Sequence, residues 1–272
     1  MSEPVTIDNT VYVFDVDGVL CDVGEPINLE VVRWVARLLE SPAFVAINTG
    51  RGYDRIGEEV VDLLRAQLKD QQSLDRLLIA TEMGGVITKF ENGQESQIQT
   101  EYRIPKELQQ RAADVYVATG SDTTMSNYAF KQSMATFVKL HGVSQEDFDA
   151  QKSVLVERLL DEFKDEDITI ATTAESIDVH AVDAGKQAGA KLIMDWVKSI
   201  SDVHHDRFIC FGDSNGDYEM ARYFATQDAG TTFVFTGENL DVDMHDRVKV
   251  IDTVKRYTAG TLEYLQNLRA DT

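Results

Sequence analysis

The 272-residue chain has 26 basic and 47 acidic side chains, a formal net charge of −21, and a hydrophobic fraction of 43%. The hydrophobic fraction supports a folded core and excludes a disordered chain. The acidic excess argues against nucleic acid and against anionic membrane surfaces as partners, because both are bound mainly through Lys and Arg. A small phosphorylated partner is compatible with it, since a bound divalent cation reverses the local field.

The sequence also bears on location. Its two cysteines are too few for a disulfide framework, which indicates a reducing compartment. Residues 1–4 lack the basic-then-apolar pattern of a secretion signal, and no apolar run approaches the ~20 residues that span a bilayer. We therefore expect a cytoplasmic protein.

The first third of the chain alternates between short apolar runs and helical patterns. Apolar runs at 10–15, 43–49 and 77–81 predict buried strands. Apolar residues recur at helical spacing across 31–39 and 60–68. This alternation is typical of a parallel sheet with crossover helices.

The pattern then changes and later resumes. Residues 86–90 with the following Asn92-Gly93 predict a hairpin. The more polar residues beyond it predict two helices and a strand, at 123–140, 145–163 and 168–171. The strand–helix pattern returns with a helix at 192–200 and strands at 207–212, 232–235 and 248–251.

These elements predict an α/β protein with a doubly wound parallel-sheet core and one inserted domain. The core would comprise residues 1–99 and 181–272, and the insert residues 100–180. The insert interrupts the strand–helix pattern, so we expect it to form a separate unit.

Polar side chains follow three of the predicted strands: Asp15, Asp17, Thr49, Arg51, Asp213 and Asp217. Ligands bind outside the carboxyl ends of strands in open α/β sheets. If the three strands are neighbours, four carboxylates converge there, and they need a cation to stay ionised away from water. Oxygen ligands select a hard metal, and Mg²⁺ favours sites that substrate phosphate completes. The residue types thus predict metal-assisted phosphoryl transfer.

Each piece has a simpler explanation when taken alone. A single Asp-x-Asp after a strand is usually a turn or a helix cap, and Thr49 alone would cap the helix after it. The acids at 213–217 resemble the start of a calcium loop, but Tyr218 and Phe224 stand where that loop needs Gly and Glu. No dinucleotide-binding or Walker pattern occurs. The occurrence of three polar strand ends in one chain favours a shared site.

Four segments together resemble the motifs of the haloacid dehalogenase superfamily of phosphatases. They are Phe-Asp-Val-Asp-Gly-Val-Leu at 14–20, Ile-Asn-Thr-Gly-Arg at 47–51, Gly-Lys at 185–186, and Gly-Asp-Ser-Asn-Gly-Asp at 212–217. The insert lies between the second motif and the lysine, which is similar to the subclass IIB members with a large α/β cap. That subclass includes sugar phosphatases.

The resemblance implies a role for each matched residue. Asp15 would attack phosphorus and form an aspartyl-phosphate. Asp17 would protonate the leaving oxygen and then help to deprotonate the hydrolytic water. Thr49 would hydrogen-bond the phosphoryl group, and Lys186 would balance the charge on Asp15 and the phosphate.

The resemblance also implies Mg²⁺ as the cofactor, with Asp15, Asp213 and the backbone carbonyl of Asp17 as its ligands. Asp217 would hold the water shell of the metal or Lys186, and Ser214 would support this loop. Gly50 and Arg51 would join Thr49 and Lys186 in binding phosphate.

The implied activity is hydrolysis of a small phosphorylated metabolite, with a sugar phosphate as the expected substrate. Two alternatives stay open: a phosphomutase with the same nucleophile and metal, and a non-catalytic regulatory module that keeps the fold. Residues 82–85 depart from the usual Asn-Gly pair, and we expect this to affect the junction with the insert and not the chemistry.

Overall fold

The computed structural model describes residues 10–200 and 207–268, and the chain divides into two compact units. The first unit includes the chain up to Ile98 and from Gly185 onward, and the second is Gln99–Ala184. No helix among the described residues is both long and apolar enough to span a membrane.

The first unit is built on one sheet, whose eight described strands lie in the order β12-β11-β10-β1-β2-β3-β4-β5. The pairs from β12 to β3 are all parallel, and β4 pairs antiparallel with β3. The strands are β1 (Thr10–Phe14), β2 (Phe44–Asn48), β3 (Leu77–Thr81), β4 (Val86–Glu91), β5 (Gln94–Gln99), β10 (Arg207–Gly212), β11 (Gly230–Phe235) and β12 (Val248–Asp252).

Helices cover both faces of this sheet. They are α1 (Leu29–Leu39), α2 (Tyr53–Ile56), α3 (Asp62–Gln67), α6 (Lys186–Ile200), α7 (Asn215–Thr226) and α8 (Tyr257–Gln266), with a π-helical turn at Gly57–Val61 between α2 and α3. Alternate residues of β1 point to opposite faces: Tyr12 and Phe14 pack with α1, α3 and α8, whereas Val11 and Val13 pack with α6 and α7. The doubly wound α/β core predicted from the sequence is confirmed.

The predicted hairpin is also present. β4 and β5 are joined by Asn92 and Gly93, which both have positive φ, at 51° and 73°. That conformation suits a tight hairpin turn, and it is the reason why Asn-Gly predicts one.

The second unit is a four-stranded sheet with two helices. Its strands lie in the order β6-β7-β9-β8, and every pair is antiparallel. The elements are α4 (Lys106–Ala118), β6 (Met125–Asn127), β7 (Ala135–Lys139), α5 (Gln145–Glu162), β8 (Ile168–Thr172) and β9 (Ser176–Ala181). Residues from both helices and all four strands form one apolar core.

The helix predicted over 123–140 is wrong. That segment forms β6 and β7, because Ala135 and Phe137 alternate with residues on the other face and pack into the core of the unit. The prediction also missed α4, whose helical pattern is weak because only Ala112 and Tyr116 of it are buried. The helix predicted over 145–163 is confirmed as α5.

Candidate active site

Asp15 follows β1 in the middle of the parallel sheet. β1 lies between β10 and β2, so the loops after these three strands are neighbours. The backbone N–H of Asp15 donates to the Phe211 carbonyl of β10 at 3.1 Å. The residue is only 7% exposed. The condition set by the sequence, that the three polar strand ends be adjacent, is met.

Lys186 is the first residue of α6 and forms the centre of the site. Its Nζ lies 2.5 Å from Asp15 Oδ1 and 2.7 Å from Asp217 Oδ1. The same Nζ donates to the Asn48 carbonyl at 2.8 Å. This hydrogen bond and the two ion pairs fix the position of the ammonium group.

Burial and neighbouring charges shift the pKa values of this pair. Burial raises the pKa of Asp15 to about 7, the charge of Asp217 adds to the effect, and Lys186 opposes it. Burial alone would lower the pKa of Lys186, but Asp15 and Asp217 outweigh it and raise that pKa above its ordinary value. Lys186 therefore stays charged, while Asp15 is held in a site that disfavours excess negative charge.

Three carboxylates meet at this point. One oxygen each from Asp15, Asp213 and Asp217 lies within 4.8 Å of the others. Asp213 reaches the cluster because Gly18 has no side chain: a Cβ there would lie 2.2 Å from Asp213 Oδ2. Burial, with the charge of Asp217, raises the pKa of Asp213 to about 6.

This donor set fits a hard divalent cation. Three partly or fully buried carboxylates lie together, and burial, with the neighbouring negative charge second, raises the pKa values of Asp15 and Asp213. Oxygen donors in such an arrangement are those that Mg²⁺ takes.

Asp217 holds the loop after β10 as well as Lys186. Its Oδ2 accepts hydrogen bonds from the backbone N–H groups of Asp213 at 3.2 Å and Ser214 at 3.1 Å, and from the Ser214 hydroxyl at 2.7 Å. Ser214 and Asp217 form a capping box at the start of α7. Asp217 therefore contacts both Lys186 and the loop at Ser214.

Thr49 directly follows β2, and hydrogen bonds hold both its backbone and its hydroxyl oxygen. Its backbone N–H donates to the Ala80 carbonyl at 2.9 Å, and its Oγ1 accepts from the Arg51 N–H at 3.1 Å. Because the oxygen already accepts this bond, the hydroxyl hydrogen is left to donate elsewhere. A Cβ at Gly50 would lie 2.9 Å from the Met83 methyl, so the loop passes close to the segment after β3.

Arg51 lies between two carboxylates. Its Nε and Nη2 donate to Asp17 Oδ2 and Oδ1 at 3.1 and 2.6 Å, and its Nη1 donates to Glu59 Oε2 at 2.6 Å. Nη2 also lies 3.4 Å from the sulfur of Cys21. The carboxylate of Asp17 is thus bonded to Arg51 and is not a member of the three-carboxylate cluster.

Sequence reasoning did not include the side chain of Asn48 in the site. This fully buried amide donates from Nδ2 to the Lys186 carbonyl at 2.8 Å. It fits because Gly189 of α6 has no side chain: a Cβ there would lie 2.1 Å from Asn48 Oδ1. An isolated glycine inside a helical pattern often has a packing reason, and this signal was available in the sequence.

The segment after β3 is the second omission. Glu82 and Met83 have positive φ, at 53° and 58°, a conformation that costs energy in residues other than glycine. Their backbone N–H groups donate to the carbonyls of Arg51 at 3.0 Å and Thr49 at 3.2 Å, and the Met83 carbonyl accepts from the Gly185 N–H at 2.8 Å. This turn therefore links the Thr49 loop to the residue before Lys186, a connection that we did not expect.

No protein-family model and no curated protein matches this sequence. Solved structures do match it. The C-terminal domain of a trehalose-6-phosphate phosphatase from C. albicans aligns with a TM-score of 0.68 at 12% identity, over 95% of this chain and 91% of that one. A haloacid dehalogenase-like hydrolase from Bacteroides thetaiotaomicron aligns with a TM-score of 0.64 at 13% identity, over 96% and 99%.

The chain has the fold of the haloacid dehalogenase-like hydrolases. An IMP-nucleotidase from Plasmodium falciparum shares the fold more partially, with a TM-score of 0.56 at 13% identity, over 77% of this chain and 53% of that one.

Proposed function

We propose that this protein is a Mg²⁺-dependent phosphatase that hydrolyses a small phosphomonoester through an aspartyl-phosphate on Asp15. The contact of 2.5 Å between Asp15 and Lys186, at the edge of a cluster of three carboxylates, carries the proposal. A nucleophilic carboxylate splits hydrolysis into two steps, and a fixed lysine offsets the charge of the incoming phosphate.

The chemistry proceeds in two displacements. An oxygen of Asp15 forms a bond to phosphorus while the bond to the leaving oxygen breaks, and Asp17 gives that oxygen a proton. A water then attacks phosphorus, Asp17 accepts its proton, and the bond to Asp15 breaks to release phosphate. Lys186 and the hydroxyl of Thr49 hold the phosphoryl oxygens during both steps.

Asp15 and Asp213, with the backbone carbonyl of Asp17, would hold the Mg²⁺. When bound, the ion neutralises charge on the phosphoryl oxygens and allows Asp15 to approach them.

We further propose that the second unit, Gln99–Ala184, is a subclass IIB cap that selects a sugar phosphate. The residues near Asp15 recognise only a phosphoryl group, so discrimination between esters must come from elsewhere. The insert between Thr49 and Lys186 is the sizeable segment left, and its acidic excess favours a neutral, polar substrate body. The trehalose-6-phosphate phosphatase from C. albicans shares the fold across nearly the whole chain, which is consistent with this substrate class.

The nucleophile is tested with Asp15→Asn in the full chain. The amide has nearly the same shape but is a poor nucleophile, so Mg²⁺-dependent release of phosphate from phosphorylated sugars, nucleotides and glycolytic acids should disappear while the fold persists. Asp165→Asn, at an exposed position of the second unit, is the control and should match the wild type. Equal activity of Asp15→Asn and the wild type would contradict the covalent mechanism. A phosphorylated product without free phosphate would indicate the phosphomutase, and no turnover of any ester would indicate the regulatory module.

The role of the second unit is tested on its sheet. Thr136 and Asp178 are bonded to each other at 2.6 Å, and they lie on the face opposite the buried Phe137 and Val179. Asp178→Asn should change the ratio of kcat/KM between two sugar phosphates, whereas Glu157→Gln on the exposed side of α5 should not. If substitutions in the second unit never alter this ratio and changes in the core loops do, the cap assignment is wrong.

A further inference from the structure

The guanidinium of Arg51 is almost fully used by protein groups. Nε and one N–H of Nη2 bind the two oxygens of Asp17, one N–H of Nη1 binds Glu59, and the second N–H of Nη2 faces the sulfur of Cys21 at 3.4 Å. An arginine has five N–H donors, so a single one is left. A phosphate would have to break existing bonds in order to gain the paired contact that arginine usually makes with it.

The side chain of Arg51 is more buried than those of its two carboxylate partners. The side chain of Arg51 is 11% exposed, whereas those of Asp17 and Glu59 are 44% and 33% exposed. The arginine therefore supports Asp17 from the buried side, and the open side of the Asp17 carboxylate remains accessible to a substrate.

A bidentate contact restricts a carboxylate more than a single bond does. The two parallel bonds from Arg51 fix both the position and the plane of the Asp17 carboxylate. Without them, this exposed side chain could rotate between rotamers. Lysine, as a point charge, cannot impose this plane.

Glu59 holds the other end of the arginine. It lies in the π-helical turn Gly57–Val61, and its second oxygen accepts from Arg55 at 2.8 Å. Such turns interrupt the regular helix and often occur at functional sites. The chain of contacts thus runs from the π-helical turn through Arg51 to Asp17.

We propose that Arg51 is a positioning residue for Asp17, with Glu59 as its anchor, and that Arg51 does not bind the phosphoryl group. The inference rests on the proposed function, in which Asp17 is the proton donor to the leaving oxygen. Its consequence is that loss of Arg51 damages proton donation and spares phosphate binding.

The test compares two esters with different needs for a proton. p-Nitrophenolate leaves without protonation, whereas the alkoxide of β-glycerophosphate does not. The parameter kcat/KM is used because it reports the steps up to phosphorylation of the enzyme, before the shared hydrolysis step. The inhibition constant of inorganic phosphate measures phosphate binding separately.

Arg51→Gln should reduce kcat/KM for β-glycerophosphate by about 10-fold or more beyond its effect on p-nitrophenyl phosphate, within the range for general acid catalysis. Inhibition by phosphate should stay unchanged. Arg51→Lys should recover only part of the selective loss, and Glu59→Gln should reproduce a smaller one even if Arg51→Gln fails to fold. Arg55→Gln removes the other partner of Glu59 and is the matched control, which should behave as the wild type.

Equal losses on both esters together with weaker inhibition by phosphate would show that Arg51 binds the phosphoryl group and would overturn the proposal. Unchanged kinetics in Arg51→Gln would overturn it too, because the contact would then be incidental. A wild-type protein that releases phosphate neither from these two esters nor from any phosphorylated sugar, nucleotide or glycolytic acid would overturn the proposed function itself, which is a result distinct from the other two.

Discussion

Gly189→Ala is a substitution that helix propensity favours and tertiary packing opposes. Gly189 is buried within α6, and alanine is the better helix former there. The added methyl would nevertheless lie 2.1 Å from Asn48 Oδ1, closer than any tolerated contact. The fully buried amide must therefore move, and with it the hydrogen bond of 2.8 Å to the Lys186 carbonyl.

The magnitude follows from three terms. Overpacking of a dense core costs about 1–3 kcal/mol. The lost hydrogen bond costs about 0.5–1.5 kcal/mol, and the higher helix propensity of alanine returns about 1 kcal/mol. The balance is a loss of about 2 kcal/mol in the free energy of unfolding, or about 4–8 °C in Tm for a chain of this size. Because Asn48 holds the backbone of Lys186, kcat should fall by about 10-fold or more.

Thermal unfolding and phosphate release measure the two effects. Gly216→Ala is the matched control, since Gly216 is also helical but its added Cβ would meet only Ser214 Oγ at 3.6 Å. Its Tm should be equal to or above that of the wild type. The double variant Asn48→Ala with Gly189→Ala should be more stable than Gly189→Ala alone, because the clash is removed, but it should not regain activity. A Tm of Gly189→Ala at or above the wild type would refute this account of Asn48.

Further predictions concern the carboxylates. Asp217→Asn should lower the free energy of unfolding by about 1.5–3 kcal/mol, the value of a hydrogen bond to a charged group, and reduce phosphate release, because Lys186 loses one of its two carboxylates. The control is Glu219→Gln, at a partly exposed position of α7. An unchanged Tm for Asp217→Asn would contradict the prediction. Mg²⁺ at 100 times its Kd for the protein should stabilise the wild type by about 2.7 kcal/mol in a thermal unfolding assay. Asp213→Asn should lose most of this gain. An identical Tm of the wild type with and without Mg²⁺ would argue against the metal site. Activity should vanish in excess chelator and fall when Ca²⁺ replaces Mg²⁺, because Ca²⁺ takes more ligands at longer distances.

Local pattern was enough to predict the core. A buried strand reads as an unbroken apolar run, and the polar residue at its end stands out against it, as Asp15, Thr49 and Asp213 do. Helical spacing between these runs predicts the crossovers and hence the parallel sheet. The insert was harder to predict, because the pattern over 123–140 favours a helix where the chain forms β6 and β7: the few core residues of β7 do not outweigh the polar stretch before it.

Only the tertiary structure decided which groups touch. The adjacency of β10, β1 and β2 brings Asp213 close to Asp15, although about two hundred residues of chain separate them. A local sequence pattern cannot predict a contact between residues so far apart in the chain. The same holds for Arg51, which the motif assigns to phosphate but whose guanidinium lies between Asp17 and Glu59. Sequence determines which residue types are available at each strand end, because burial and periodicity are local properties of the chain. The partner of each side chain depends on the packing of distant elements. The bidentate contact between Arg51 and Asp17 is of this kind.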